Sequence, residues 1–116
     1  MLLKLDHLYS GFRTVHRYLA SDFDYTKGQC ADKVMGACFF TKRKLWDELQ
    51  GFDEHFFIWF EEVDYCLRAF KSGVRTFYAP VGPVHHALGM SFEKESLVKK
   101  QWWFLKSIVY FFMKHS

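Results

Sequence analysis

The acidic residues Glu61, Glu62 and Asp64 lie within four positions of one another, directly behind a run of aromatic side chains. Neighbouring carboxylates repel one another, so a chain that groups them needs either a solvated surface or a chemical use for them. If segment 60–72 is helical, Asp64 precedes Arg68 by one turn, in the orientation that favours an ion pair. Glu62 then points to the other side of the helix, where its carboxylate could take a proton from a sugar or lipid hydroxyl.

A structural interpretation of the same acids is that they complement the positive end of the helix dipole. Periodicity alone does not choose between this role and that of Glu62 as a general base. The pair His85 and His86, in front of a glycine-bearing loop, is similarly ambiguous. Such a pair is most often structural, but together with an acid it could bind a metal ion. A small metal-binding protein is therefore one hypothesis for the chain.

Strand-like and helical segments must position these groups. The short apolar segment 34–40 is typical of a buried strand. Its Gly36 and Ala37 are small residues, which leave room for another group to approach the backbone closely. Thr41 is a suitable N-cap for a helix over 42–50.

Gly51 stands where a left-handed residue should end that first helix. The second helix, 60–72, ends before Gly73 and is followed by the β-prone segment 74–79. Its apolar stripe consists of Phe60, Val63, Leu67 and Phe70.

The order strand, helix, helix, strand and a terminal aromatic-rich helix over 92–116 predicts an α/β fold. Residues 21–33 are polar and turn-rich and are predicted to be a connecting loop, and the first 20 residues to be a helix. Two or three strands make a thin sheet, so we expect residues 1–116 to be part of a larger domain.

The composition excludes several classes of protein. The net charge is +3, and no dense Lys/Arg stripe interleaves with the aromatic residues, which argues against nucleic-acid binding. Three cysteines without a CxxC spacing favour a reduced, cytosolic setting over a disulfide framework. No signal-peptide pattern opens the chain, and the apolar stretch 102–113 falls short of the ~20 residues that cross a bilayer.

An ordered series of short motifs extends over roughly positions 18 to 91, and more weakly to the Lys-His at 114–115. It comprises Gly36-Ala37, Gln50-Gly51-Phe52-Asp53-Glu54, Phe56-Phe57, Glu61-Glu62, Leu67 with Arg68, and the loop His86-Ala87-Leu88-Gly89-Met90-Ser91. The series resembles the acceptor half of family 2 inverting glycosyltransferases of the GT-A fold, and most of all rhamnosyltransferase-like enzymes of bacterial surface polysaccharides. Several elements in one order at matching spacing are more specific than a lone short motif. The resemblance implies that residues 1–116 are the truncated C-terminal, acceptor-side part of a Rossmann-like GT-A catalytic domain.

By that resemblance, Glu62 is the base that deprotonates the acceptor hydroxyl, with Glu where many relatives have Asp. The resemblance also implies a set of acceptor-binding residues around it: Gly36, Ala37, Asp53, Glu54, Trp59 and Glu61. For Asp53 and Glu54, a helix-linking turn with solvated acids is an equally weighted alternative. His86, with His85 beside it, would help to hold the divalent cation, Mn²⁺ or Mg²⁺, that bridges the donor diphosphate.

The implied reaction transfers a hexose, rhamnose or another, from a nucleotide-sugar to a saccharide or lipid-linked acceptor. We expect the donor-binding N-terminal half to be missing, since the chain has no donor-binding strands and no glycine-bearing nucleotide site. Asp22-Phe23-Asp24 imitates the Asp-x-Asp metal motif but lies in a predicted loop. We therefore expect the 116-residue chain alone to be inactive. The enzyme is expected in the cytoplasm or peripherally at the inner face of the plasma membrane.

The C-terminal helix is rich in aromatic residues and lysines over positions 99–114. Its rings could cover the catalytic domain, or the helix could make a peripheral membrane contact with its lysines at anionic headgroups. A rival hypothesis is therefore a non-catalytic membrane- or partner-binding module derived from such an enzyme.

Overall fold

Three helices and one two-stranded sheet make up the parts of the chain that the computed structural model describes, residues 23–86 and 95–116. They are strand β1 (Gln29–Cys30), helix α1 (Arg43–Glu48), helix α2 (Glu61–Lys71), strand β2 (Phe77–Tyr78) and helix α3 (Leu97–His115). The predicted mixed α/β class is confirmed. The helix predicted for the first 20 residues lies outside the described ranges.

The sheet has two strands, within the predicted two or three, but each is only two residues long and the first lies elsewhere. β1 pairs antiparallel with β2, so that Gln29 faces Tyr78, and β1 falls within the segment predicted to be a loop. The buried strand predicted over 34–40 is wrong, since this segment turns, and Gly36 and Ala37 are exposed. The amide of Cys38 donates to the carbonyl of Met35 at 3.3 Å, closing a turn around the two small residues. Glycine favours such a turn over a strand because it gains nothing from side-chain packing.

α1 ends in the predicted left-handed turn but starts with a different cap. Gly51 has φ +66°, and a Cβ there would lie 2.8 Å from Trp46 Cζ2, so only glycine fits. The N-cap is Lys42, without a side-chain hydrogen bond, and the prediction of Thr41 is wrong. The Thr41 hydroxyl instead lies 2.9 Å from the Tyr65 hydroxyl, which ties the start of α1 to α2.

α2 buries a different face from the one predicted. Tyr65, Cys66 and Ala69 are 1%, 2% and 4% exposed, whereas Phe70 of the predicted stripe is 62% exposed. The buried face is the one that meets the aromatic rings of α1 and its neighbouring turns, with Trp46 centred 5.4 Å from Tyr65. Phe39, Trp46 and Phe52 surround the Tyr65 ring, and because rings bury large apolar areas, this cluster determines which face turns inward.

α3 runs across the segment before α2. Its N-cap is Ser96, whose Oγ accepts from the backbone amide of Lys99 at 3.3 Å. The helix starts later than residue 92, and positions 92–94 lie outside the described residues. Ring contacts join Phe56 to Tyr110, with centroids 4.9 Å apart. Within residues 23–86 and 95–116, no helix combines the length and hydropathy that a bilayer crossing requires.

Candidate functional site

A large open cavity of about 2070 Å³ brings together three of the residues singled out in the sequence. Glu62, in the first turn of α2, lies on its wall with Ala37 and His86. The rest of the lining comes from residues within 23–42, α1, α2 and 74–86, and includes Thr41, Tyr65, Cys66 and Ala69. The small side chains Cys66 and Ala69 follow Glu62 along α2 and line the same cavity.

One oxygen of the Glu62 carboxylate lacks a hydrogen-bond partner among the described residues. Its Oε2 is buried and has no hydrogen-bond partner in the part of the chain that the structure describes. Leaving a buried polar atom unsatisfied costs about 1–3 kcal/mol, so such atoms are rare in folded proteins and call for an explanation. Because Oε2 is buried, a ligand hydroxyl would have to reach the carboxylate at its other oxygen to give up its proton.

Glu61 shares this feature. Its Oε2 is also buried without a partner among the described residues. Burial raises the pKa of the Glu61 carboxyl; a backbone hydrogen bond opposes the rise, and the charge of Glu62 adds to it. Glu61 therefore binds a proton more readily than an exposed glutamate, a property that no local sequence pattern indicated.

The backbone that leads into the two glutamates has an unusual conformation. Trp59 and Phe60 have φ values of 58° and 72°, in the left-handed region that non-glycine residues seldom occupy. Each such residue costs on the order of 1–2 kcal/mol. Surrounding contacts must therefore hold the turn, and this turn fixes where Glu61 and Glu62 begin the helix.

α3 supplies those contacts. The hydroxyl of Ser107, a residue only 4% exposed, donates to the carbonyl of Ile58 at 2.8 Å. The ring of Phe60 meets Phe104 and Phe111, with centroids 5.8 and 5.4 Å apart. The Trp59 ring also meets Phe104 edge to face, at 5.7 Å.

Asp53 belongs to an ion cluster that fastens α3 to the turn after α1. Its Oδ2 accepts from Lys114 Nζ at 2.6 Å and from the Tyr110 hydroxyl at 3.0 Å, while its Oδ1 accepts from the His55 amide at 2.9 Å. Burial acts to raise the pKa of Asp53, but the hydrogen bonds from Lys114, His55 and Tyr110 outweigh it and hold the pKa far below its usual range. Both oxygens thus have partners within the chain, whereas the neighbouring Glu54 is exposed.

Asp64 is the centre of the same cluster and is 0% exposed. The expected ion pair is present, with Arg68 Nε donating to Oδ2 at 2.8 Å. Lys114 Nζ and His115 Nε2 each lie 2.8 Å from Oδ1. Burial would raise the pKa of Asp64, but hydrogen bonds from Lys114, His115 and Arg68 lower it. No local sequence pattern predicts the contacts of Asp64 with Lys114 and His115, because His115 is 51 positions away from Asp64.

The remaining donors of Arg68 close the cluster onto the backbone. Nη2 donates to the carbonyl of Gly51 at 2.7 Å, and Nη1 donates to the carbonyl of Leu49. A single guanidinium therefore ties α2 to the end of α1.

Among the described residues, the two histidines predicted to hold a cation have no neighbours that would complete a metal site. His85 and His86 are exposed, and in the described ranges no three His, Cys, Asp or Glu side chains are grouped closely enough to hold a metal ion. The cysteines are free. A cation at His86 would need ligands from a bound diphosphate or from other parts of the protein.

The remaining predicted positions are exposed or engaged elsewhere. A Cβ on Gly36 would meet no atom within 4 Å, so the space around it is open. Asp24 accepts from the amide of Thr26 at 3.0 Å and pairs with Lys27 at 3.2 Å, as in an ordinary turn. Asp22 lies outside the described ranges, as do positions 87–91 of the histidine-glycine loop.

Comparison of the chain with protein-family models, with curated proteins and with solved structures gives no match. A family assignment therefore depends on the motif series, and a functional assignment on that series and on the site.

Proposed function

We propose that these residues form the acceptor side of an inverting glycosyltransferase of the GT-A type, in which Glu62 is the general base. The observation that carries the proposal is the Glu62 carboxylate, with one oxygen buried without a partner among the described residues, on a cavity wall that also includes His86. Asp53 and Asp64, the acids with a structural role, have donors for both oxygens. Glu62 differs from them in having an unpartnered oxygen, and it differs from Glu61, which shares that feature, in lining the cavity.

In the proposed reaction, a hydroxyl of a saccharide or lipid-linked acceptor enters the cavity and gives its proton to Glu62. Its oxygen attacks the anomeric carbon of the nucleotide-sugar, and the bond to the diphosphate breaks with its electron pair leaving on the phosphate. Attack from the opposite face inverts the anomeric centre and needs no covalent enzyme intermediate. A positioned general base contributes roughly 10²–10⁴-fold to such a step.

The proposal extends to rhamnose or another hexose as the donor sugar and to bacterial surface polysaccharide as the product. A nucleotide-sugar site needs a donor-binding segment in addition to the described residues. A divalent cation would need ligands beyond His85 and His86, so the proposal assigns only the proton transfer to this part of the chain. Nucleotide-sugars and lipid-linked acceptors meet at the cytoplasmic face of the plasma membrane, and the proposal locates the enzyme there.

Acceptor binding is the first test, because it does not require the donor. Saturation-transfer NMR with a panel of bacterial oligosaccharides is expected to show binding to the wild-type protein. Glu62→Gln keeps the side chain's shape and should retain binding, whereas Ala37→Trp should weaken it, because a large ring would replace a small side chain on the cavity wall. An absence of saccharide binding by the wild-type protein would refute the acceptor site.

Transfer of a labelled hexose from nucleotide-sugars, with a donor-binding segment supplied, tests the base. Glu62→Gln should lower the rate at least 100-fold, the lower bound for a lost general base. Asp47→Asn, at an exposed position of α1, is the matched control and should leave the rate unchanged. A Glu62→Gln enzyme that works at the wild-type rate would refute the assignment.

A further inference from the structure

Helix α3 is apolar on two opposite sides, and within residues 23–86 and 95–116 one of them is largely exposed. The inner side packs on the rest of the protein around Ser107, whereas the opposite side carries large apolar residues that are 49% to 81% exposed. This outer stripe consists of Val98, Trp102, Leu105, Val109, Phe112 and Met113. The steps of four and three residues keep the stripe on one side of the helix. A helix that is apolar all round is normally buried, so the outer stripe marks a contact surface.

Positive charge borders the outer stripe. α3 contains four lysines and neither Asp nor Glu. The exposed side chains Lys99 and Lys106 are seven residues apart and lie along one edge of the stripe. Lys99 pairs with Glu95 in front of the helix at 2.8 Å and lies 4.9 Å above the Trp103 ring. That ring meets Phe57, which is 70% exposed, so the edge combines cations with aromatic surface.

We infer that α3 lies in the plane of an anionic bilayer surface, with the outer stripe at the acyl boundary and Lys99 and Lys106 at the headgroups. A helix of 19 residues is about 28 Å long, and its stripe covers most of that length. Lysines beside a stripe that contains Trp and Phe are typical of helices that bind membranes in this orientation. The inference stands on α3 alone and does not require sugar transfer.

Charge decides between a bilayer and a second copy of the chain. An antiparallel pair of α3 helices would bring the lysine edge against the same edge of the other helix. A parallel pair would bring it against an edge that has no acid, since α3 has none. The described acid beside the lysine edge is Glu95, which Lys99 already engages at 2.8 Å, so neither pairing supplies a further counter-charge for Lys106 from α3 or Glu95. Anionic headgroups do supply one, at about 1 kcal/mol for each lysine near the surface.

Co-sedimentation of the full chain with phosphatidylcholine vesicles, with and without phosphatidylglycerol, tests the inference. We expect binding to the anionic vesicles that added salt weakens. Trp102→Glu/Val109→Glu should reduce it at least ten-fold. Lys106→Gln should reduce it roughly five-fold, the factor that corresponds to about 1 kcal/mol.

The matched control is Met35→Glu/Val81→Glu, with both positions well exposed, at 67% and 88%. They line the large cavity, to which α3 contributes no residue, so this variant should bind vesicles like the wild type. Far-UV circular dichroism shows whether each variant is folded. No binding, equal binding to neutral and anionic vesicles, or equal losses in stripe and control variants would overturn the inference. A dimer that dissociates in the stripe variant, in a protein that does not bind vesicles, would make a second copy the occupant.

Discussion

Replacing Asp64 by Asn removes a negative charge that two cations and a histidine share, while the side chain keeps its shape. Arg68 Nε, Lys114 Nζ and His115 Nε2 each lie 2.8 Å from an oxygen of Asp64. After Asp64→Asn the cations remain, and the side chains of Arg68 and Lys114 are only 19% and 25% exposed. Water therefore cannot replace the lost carboxylate fully.

The expected cost follows from this loss of counter-charge. Removing one partner of a buried ion pair lowers the free energy of unfolding by about 3–5 kcal/mol. Asp53 still lies 2.6 Å from Lys114, so one cation keeps a partner, and we expect the lower end, about 3 kcal/mol. A domain is stable by only ~5–15 kcal/mol, so the variant should lose a large part of its stability.

Urea unfolding followed by far-UV circular dichroism measures this loss, with Asp47→Asn as the matched control. Asp47 forms the same i,i+4 pair with Arg43, also at 2.8 Å, but the Arg43 and Asp47 side chains are 87% and 54% exposed. An exposed pair contributes less than about 1 kcal/mol, so the control should differ little from the wild type. If Asp64→Asn loses no more stability than Asp47→Asn, burial does not increase the contribution of the ion cluster to stability, and the reasoning is refuted.

The loss of stability in Asp64→Asn is expected to depend on pH. The pKa of Asp64 is lower in the folded state than the value near 4 of an unfolded aspartate, so its contribution is fully present above that value. The contribution is lost as the pH falls through the folded-state pKa. Asp64→Asn should therefore differ most from the wild type at neutral pH, and the two unfolding curves should approach each other in acid.

Three further outcomes can be measured by urea unfolding. Gly51→Ala should lower the free energy of unfolding by about 3 kcal/mol or more, because the added Cβ overlaps Trp46 at a position that also has a positive φ. Gly73→Ala, at φ +87° with no atom within 4 Å, should lower it by only about 1–2 kcal/mol. Equal losses in the two variants would contradict the overlap with Trp46. Ser107→Ala should lower stability by about 1–2 kcal/mol, since it leaves a backbone carbonyl beneath α3 without its donor, and an unchanged midpoint would argue against that contact. Glu61→Gln should stabilise the protein at pH 7 but not at pH 4, where a carboxyl with a raised pKa is already protonated, and a variant less stable at pH 7 would contradict its burial.

The sequence predicted features that depend on a few neighbouring residues. The spacing of Asp64 and Arg68 indicated their ion pair, and the glycine at position 51 indicated the left-handed turn. The predicted helix 60–72 differs from α2 by one residue at each end. In each case the local geometry of the chain determines the result.

The features that were missed depend on contacts between distant parts of the chain. An apolar run such as 34–40 suits a strand only if a neighbouring strand is there to pair with it, and no spacing rule supplies that information. The partners of Asp53 are likewise remote, since Lys114 is 61 positions away. Local periodicity also placed Phe70 on the inner face of α2, whereas the rings around Trp46 determine which face is buried.

The ion cluster has a consequence for the order in which the protein folds. Of the partners of Asp64 among the described residues, Arg68 on the same helix is the one that can neutralise it early, because the others are Lys114 and His115. During synthesis on the ribosome, the segment around α2 therefore exists for some time with a carboxylate that is expensive to bury. The docking of α3 closes a loop of about 50 residues and supplies the missing partners in one step. Native burial of Asp64 must consequently be a late event that waits for residue 115 to be made.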